Sequence, residues 1–299
     1  YQEVHPNDDV NRSQSTNDVF PSAGKLAARR LLDQMLEELQ ELIKALDAKS
    51  EEFHDILKPA RTQLQDAVPM RLGQTFHAWA SALTRDLQRL NQTKEDLMIQ
   101  SLGGTIMGNG VNAPQAYRDA LAKHYEEVTG YPFVPADDQI DATQNLDVWV
   151  ALSGDLRALA TTLNKLASDL RLLASGPRAG FQEIHLPARQ NGSSIMPGKV
   201  NPVIPEVVNQ VAFQVVGNDA TIAACAANGQ LELNAFEPLL FYRCFDSLEV
   251  LRQGMWTLRV HCIAGIEPNR QRLQKELDES LQLVTALVPE MGYKTAQAV

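Results

Sequence analysis

The stretch "LDVWVALSGDLRALATTLNKLASDLRLL", residues 146–173, carries Trp149, Leu152, Leu156, Leu159, Leu163, Leu166, Leu170 and Leu173. These advance by steps of three and four, which keeps them on one face of an α-helix. The pattern recurs along the chain. Residues 24–57 carry Ala28, Leu32, Met35, Leu39, Leu42 and Leu46, with Lys49 interrupting the stripe before Phe53 and Ile56. Residues 73–101 place Phe76, Leu83, Leu90 and Leu97 seven apart. Two further segments, 205–227 and 237–264, are rich in Val, Leu and Phe. Seven-residue spacing sustained over several turns implies long helices packed nearly parallel with left-handed crossing. No strand-like alternation of any length interrupts them. The expectation is an all-α protein, a long-helix bundle.

The bulk properties agree and exclude several classes. The 299 residues are 44% hydrophobic but only 6% aromatic, enough to bury a sizeable core in one or two domains. A net charge of −10 argues against a nucleic-acid surface. Cys225, Cys244 and Cys262 form no CxxC pair, and the six histidines show no metal-ligand spacing, so neither a disulfide framework nor a metal is expected. There is no apolar run of the ~18 residues a membrane span needs and no visible signal peptide, so the expected location is the cytoplasm. The chain lacks an initiator Met and opens in a polar stretch, "YQEVHPNDDVNRSQSTND". It is expected to be a piece of a longer protein.

Residues 176–206 hold five of the 15 prolines and four glycines, too many for a helix, yet also Ile184, Leu186, Ile195 and Met196. Disorder does not favour such residues, and long structureless connections in bundles are commonly functional. Within them, "GSSIMPGKV" lacks the spacing of a phosphate loop and has Val200 where a magnesium-binding hydroxyl would stand. It also fails the GxSxG elbow. What remains is Ser193 beside a glycine, with Lys199 six residues on, on a strip whose glycines could let it swing over a pocket. "NRSQSTND", residues 11–18, sets Ser13, Ser15, Thr16 and Asn17 ahead of a helix, either as caps or as neutral donors for a carboxylate. "RTQLQDAVP", residues 61–69, similarly places Thr62 and Gln63 at a helix junction. Asn209, Gln210, Asn218 and Asp219 interrupt an apolar helix and hint at a wet site or a subunit interface.

"GSSIMPGKVNP" resembles the signature loop of the fumarase/aspartase superfamily. "VHPNDDVNRSQSTND", "RTQLQDAVP", "LGGTIMGNGVN" and "LRLLASGPRAG" match it in the family's order, over essentially the whole chain. Within the superfamily, "GQLELNAFEP" and Thr16 in "SQSTND" are more similar to aspartate ammonia-lyases than to class II fumarases, whereas "VHPNDDVN" and "GIEPNR" are more similar to the latter. The resemblance implies a homotetramer whose helices share a central bundle, with each active site assembled from three subunits. It also implies that residues 1–14 end an N-terminal domain, 15–267 form the central helical domain, and 268–299 begin an incomplete C-terminal one. The piece alone is then expected to be inactive.

The implied reaction is reversible deamination of L-aspartate to fumarate and ammonia, by anti-elimination without a cofactor. Removing the C3 proton creates an aci-carboxylate with two negative charges on one carboxyl group, which needs hydrogen-bond donors already aimed at it. By the family's motifs, Ser15, Thr16 and Thr62 are those donors, Asn17 holds the leaving amino group, and Lys199 and Asn201 bind the other carboxylate. Ser193 is the implied base, and Glu206 a supporting glutamate. His5, Asn7 and Asp8 match a second anion site described for fumarases. Gln63 stands where fumarases have histidine; it can hydrogen-bond but not shuttle a proton, which disfavours a hydratase. Asn109 and Asn228 also depart from the common pattern, and nothing in the sequence explains either. The alternatives are a class II fumarase acting on L-malate and a non-enzymatic, crystallin-like relative.

Overall fold

The computed structural model describes residues 3–280, 284–285 and 288–297. Five long helices dominate: α1 (Thr16–Glu52), α2 (Leu72–Asp96), α5 (Asp147–Leu173), α6 (Val203–Ala227) and α7 (Glu237–His261). Shorter ones are α3 (Gln115–Thr129), α4 (Gln139–Gln144), α8 (Arg270–Asp278), α9 (Val288–Met291) and α10 (Tyr293–Gln297). A hairpin of β1 (Leu57–Thr62) and β2 (Gln65–Arg71) joins α1 to α2. Two-residue strands complete the list: β3 (Ile99–Gln100) beside β4 (Val134–Pro135), and β5 (Ile184–His185) beside β6 (Glu267–Pro268). The fold is therefore all-α with minor β structure. No helix among the described residues is long and apolar enough to cross a membrane.

The apolar stripes are buried as their spacing requires. Ala28, Leu32, Met35, Leu39, Leu42 and Leu46 of α1 are all fully inaccessible, as are Phe76, Leu83 and Leu90 of α2. On α5 the eight residues from Trp149 to Leu173 that define the stripe are buried. Lys49 is buried too, but its ammonium donates to Ile266 O at 3.0 Å and to Glu52 at 2.8 Å, so it keeps its hydrogen bonds while its stem packs.

The chain divides into two compact units that cut across the long helices. The first comprises residues 1–37, 86–161 and 211–253, the second residues 38–85, 162–210 and 254–299. In the first, Trp149 packs on Phe241 with ring centroids 4.7 Å apart, and Phe241 meets Phe20 at 5.2 Å. In the second, Phe76 lies between Phe53 and Trp79 at 5.2 and 4.9 Å, in edge-on contacts.

The polar residues of α6 belong to the packing. Asn209 donates to Asn164 Oδ1 (2.8 Å) and Ser168 Oγ (3.1 Å) and accepts from Arg171. Asn218 donates to Asp246 (2.9 Å) and Ser247 (3.0 Å), while Asp219 accepts from Ser153 (2.7 Å) and Arg157 (2.8 Å). A wet site is not needed to account for these three, since each is satisfied by neighbouring helices. Gln210 is exposed.

The β1–β2 hairpin corrects two expectations, uninterrupted helices and a helix junction at Thr62 and Gln63. Thr62 pairs with Gln65, and the turn residues Gln63 and Leu64 have φ of +51° and +62°. Positive φ at both central positions is the geometry that reverses a right-twisted strand pair in two residues. Pro59 faces Pro69, so neither can donate to the ladder there, and the pairing slips between Pro59 and Arg61. Ion pairing holds the hairpin instead. Glu183, fully buried, accepts from Arg61 and lies 2.8 Å from Lys58 Nζ; Arg61 also reaches Glu276 of α8 at 3.1 Å. The Arg61 guanidinium stacks over Phe181 at 4.3 Å.

Candidate functional site

The expected donors Ser15, Thr16 and Asn17 lie in the first unit, where α1 begins. Ser15 precedes the helix, and its hydroxyl accepts from Asn17 N at 3.2 Å. Asp18 Oδ1 in turn accepts from Ser15 N at 3.0 Å, so the helix start is braced by both side chains. Ser15 therefore does cap the helix, which restrains its hydroxyl. Thr16 is exposed and Asn17 half-buried. The other oxygen of Asp18 accepts from Gly103 N (3.1 Å) and Thr105 N (2.9 Å), and Asn17 Nδ2 donates to Ile106 O at 2.7 Å. Residues 102–112, the LGGTIMGNGVN motif, are thus tied to the donors. The serine and aspartate three apart were a readable signal for the cap; the distant backbone partners of Asp18 were not.

His5, Asn7 and Asp8 stand just upstream, at a π-turn spanning Pro6–Val10. Nδ1 of His5 accepts from Asn7 N (3.3 Å) and Asp8 N (3.2 Å), and the Asp8 carboxylate lies 3.3 Å from the same nitrogen. The imidazole thus occupies the N–H groups of Asn7 and Asp8.

The remaining candidates lie in the second unit. Thr62 and Gln63 are exposed at the hairpin tip. Ser193 sits in a loop closed on itself: Gly192 N donates to Lys199 O at 2.8 Å, and Asn191 pairs with Val200. A Cβ on Gly192 would stand 2.7 Å from Lys199 O, so only glycine allows this closure. Gly198 turns the chain at φ +79°. Asn201 Nδ2 donates to Gly192 O at 3.4 Å and so braces the base of the loop. The closure aims two backbone donors at one atom: Ser193 Oγ accepts from Ile195 N at 3.1 Å and Met196 N at 3.2 Å. Two fixed N–H groups favour negative charge on that oxygen. Lys199 is exposed, and Glu206 is half-buried in the first turn of α6, which Pro202 precedes and which contains Pro205.

The sequence profile of a family described as lyase matches residues 2–217. The chain belongs to this lyase family. It is 50% identical over 300 aligned positions to an aspartate ammonia-lyase of Pseudomonas canavaninivorans, covering all of this chain and 63% of that lyase. A crystal structure titled fumarate lyase:delta crystallin from Brucella melitensis, bound to cobalt, matches with a TM-score of 0.96 at 48% identity, over 100% of this chain and 65% of the other. A class II fumarase from Schistosoma mansoni matches with a TM-score of 0.93 at 36% identity, over 99% and 65%. The chain spans less than two thirds of the length of the curated lyase it matches. Membership of the lyase family agrees with the signature loop as read from sequence.

Proposed function

We propose that the chain is the greater part of an aspartate ammonia-lyase that deaminates L-aspartate to fumarate and ammonia. One observation carries the reading: Ser193 Oγ receives two backbone N–H groups, the environment a serine oxyanion would need to act as a base. The C3 proton passes to that oxygen, and the bonding pair enters the adjacent carboxylate. The aci-carboxylate is held by Ser15, Thr16 and Thr62. Its collapse forms the C2–C3 double bond and expels the C2 ammonium as ammonia, which takes up the proton released by Ser193 and leaves as ammonium, restoring the oxyanion. Lys199 and Asn201 bind the second carboxylate, Asn17 contacts the amino group, Gln63 positions substrate and Glu206 supports the loop. The 50% identity to a protein named aspartate ammonia-lyase favours this substrate over L-malate.

The complete protein should release fumarate from L-aspartate, followed by its ultraviolet absorbance, and act on L-malate far more slowly. Preferential use of L-malate would assign a fumarase; silence with both would assign a structural relative.

We further propose a homotetramer with active sites shared between three subunits. The division into an N-terminal end at 1–14, a central domain at 15–267 and a C-terminal start at 268–299 belongs to the same reading. Its support is exposed apolar surface: Phe213 of α6 is 64% accessible and Tyr242 of α7 62%, with Val216 and Leu239 also exposed. At ~25 cal/mol for each Å² left in water, such faces favour association. Light scattering should give the mass of four chains. Phe213→Lys, which puts a charge on that face, should shift the mass downward, and a monomeric unmodified protein would sink the proposal.

A further inference from the structure

The loop at residues 101–110 carries no proposed catalytic group, yet it is tied closely to the start of α1. Gly103, Thr105, Gly108 and Gly110 all have positive φ, between +59° and +98°. Such a conformation is costly for threonine and needs something to hold it. The holder is Asp18, fully buried, whose Oδ2 takes the Gly103 and Thr105 N–H groups while Oδ1 takes that of Ser15. One carboxylate therefore couples the loop to the helix end that bears the donors. The next residue, Ile106, presents its carbonyl to Asn17 at 2.7 Å.

A backbone carbonyl can only accept a hydrogen bond, so the Asn17 atom facing it must be the amide nitrogen. The flip ambiguity of an asparagine is thereby removed, and Oδ1 is the end turned away from the loop. An amide held this way offers an acceptor to a ligand, and an ammonium, with three N–H donors and no lone pair, is the group it suits. We propose that Asp18 and the Ile106 carbonyl are the positioning groups that make Asn17 an acceptor for the substrate's ammonium. This rests on the deamination reading and names what sets its leaving-group preference.

The test uses the complete protein. In Asp18→Asn the new amide must turn its N–H₂ toward either Ser15 N or the Gly103 and Thr105 N–H groups, so one side of the tie is lost. The KM for ammonium in fumarate amination should rise at least tenfold. The inhibition constant of succinate, a dicarboxylate with no amino group, should stay within threefold. A purely structural role for Asp18 would leave the ammonium KM unchanged and lower only the active fraction; that result overturns the proposal.

A second variant serves if Asp18→Asn does not fold. In Asn17→Asp an oxygen faces the Ile106 carbonyl and is repelled until protonated, when its O–H can donate as the amide did. The ratio of variant to unmodified kcat/KM for L-aspartate should rise at least tenfold from about pH 8 to about pH 5.5, towards the carboxylate range. A flat ratio overturns the proposal while aspartate turnover by the unmodified protein leaves the deamination reading standing. Absence of that turnover overturns both.

Discussion

Replacing Ser193 with alanine in the complete protein should lower kcat for L-aspartate by about 10²–10⁴-fold, the range that a positioned general base contributes. The fold should survive. Ser193 lies in a half-exposed loop, and its hydroxyl accepts from Ile195 N and Met196 N, bonds worth about 1 kcal/mol each in net stability. The loop closure through Gly192 N and Lys199 O does not involve the side chain and should persist. The KM should change little, because Lys199 and Asn201, the groups proposed to bind the second carboxylate, remain. Steady-state kinetics with circular dichroism as the folding control makes the measurement. A variant that keeps more than about a tenth of the unmodified rate would mean that another group removes the proton, and the two N–H donors on Ser193 would then be no more than a turn.

The helices were legible because burial imposes a period. Every stripe residue of α5 from Trp149 to Leu173 is buried, while Arg157, Lys165 and Arg171 between them are exposed, so the pattern carries the packing directly. The hairpin was not legible, for a physical reason. Its turn is Gln63–Leu64, where Asn-Gly or Asp-Gly would have been a signal, and two prolines face each other where alternation should show. Its anchor, Glu183, lies 122 residues from Arg61, and no local pattern encodes such a contact.

The candidate site was legible to a different degree at each end. The capping pair Ser15 and Asp18 follows from spacing, and the loop around Ser193 from its glycines and prolines. What stabilises Ser193 Oγ and what binds Asp18 Oδ2 are backbone N–H groups of residues 195, 196, 103 and 105. Backbone donors have no residue type, so only a three-dimensional path can place them.

Glu183→Ala should be the most destabilising single change at the hairpin, costing about 3–5 kcal/mol. Glu183 is fully buried and serves two cations, Lys58 and Arg61, whose own side chains are 6% and 14% accessible. Removing the carboxylate leaves Lys58 without the acid 2.8 Å from it, and Arg61 with only the more accessible Glu276. Desolvating an uncompensated charge is what makes breaking one side of a buried pair expensive. The same physics predicts a partial rescue. Adding Lys58→Met to Glu183→Ala removes the stranded ammonium and keeps an unbranched apolar stem, so stability should recover by at least about 1 kcal/mol. Urea unfolding midpoints at one fixed protein concentration compare the three proteins. A single-variant loss below about 1 kcal/mol would place Glu183 among surface ion pairs of little weight. Failure of Lys58→Met to restore anything would show that the hairpin depends on the carboxylate for its shape. In that case Thr62 and Gln63 at its tip would be displaced along with it, and the variant's KM for L-aspartate would rise even where the protein remains folded.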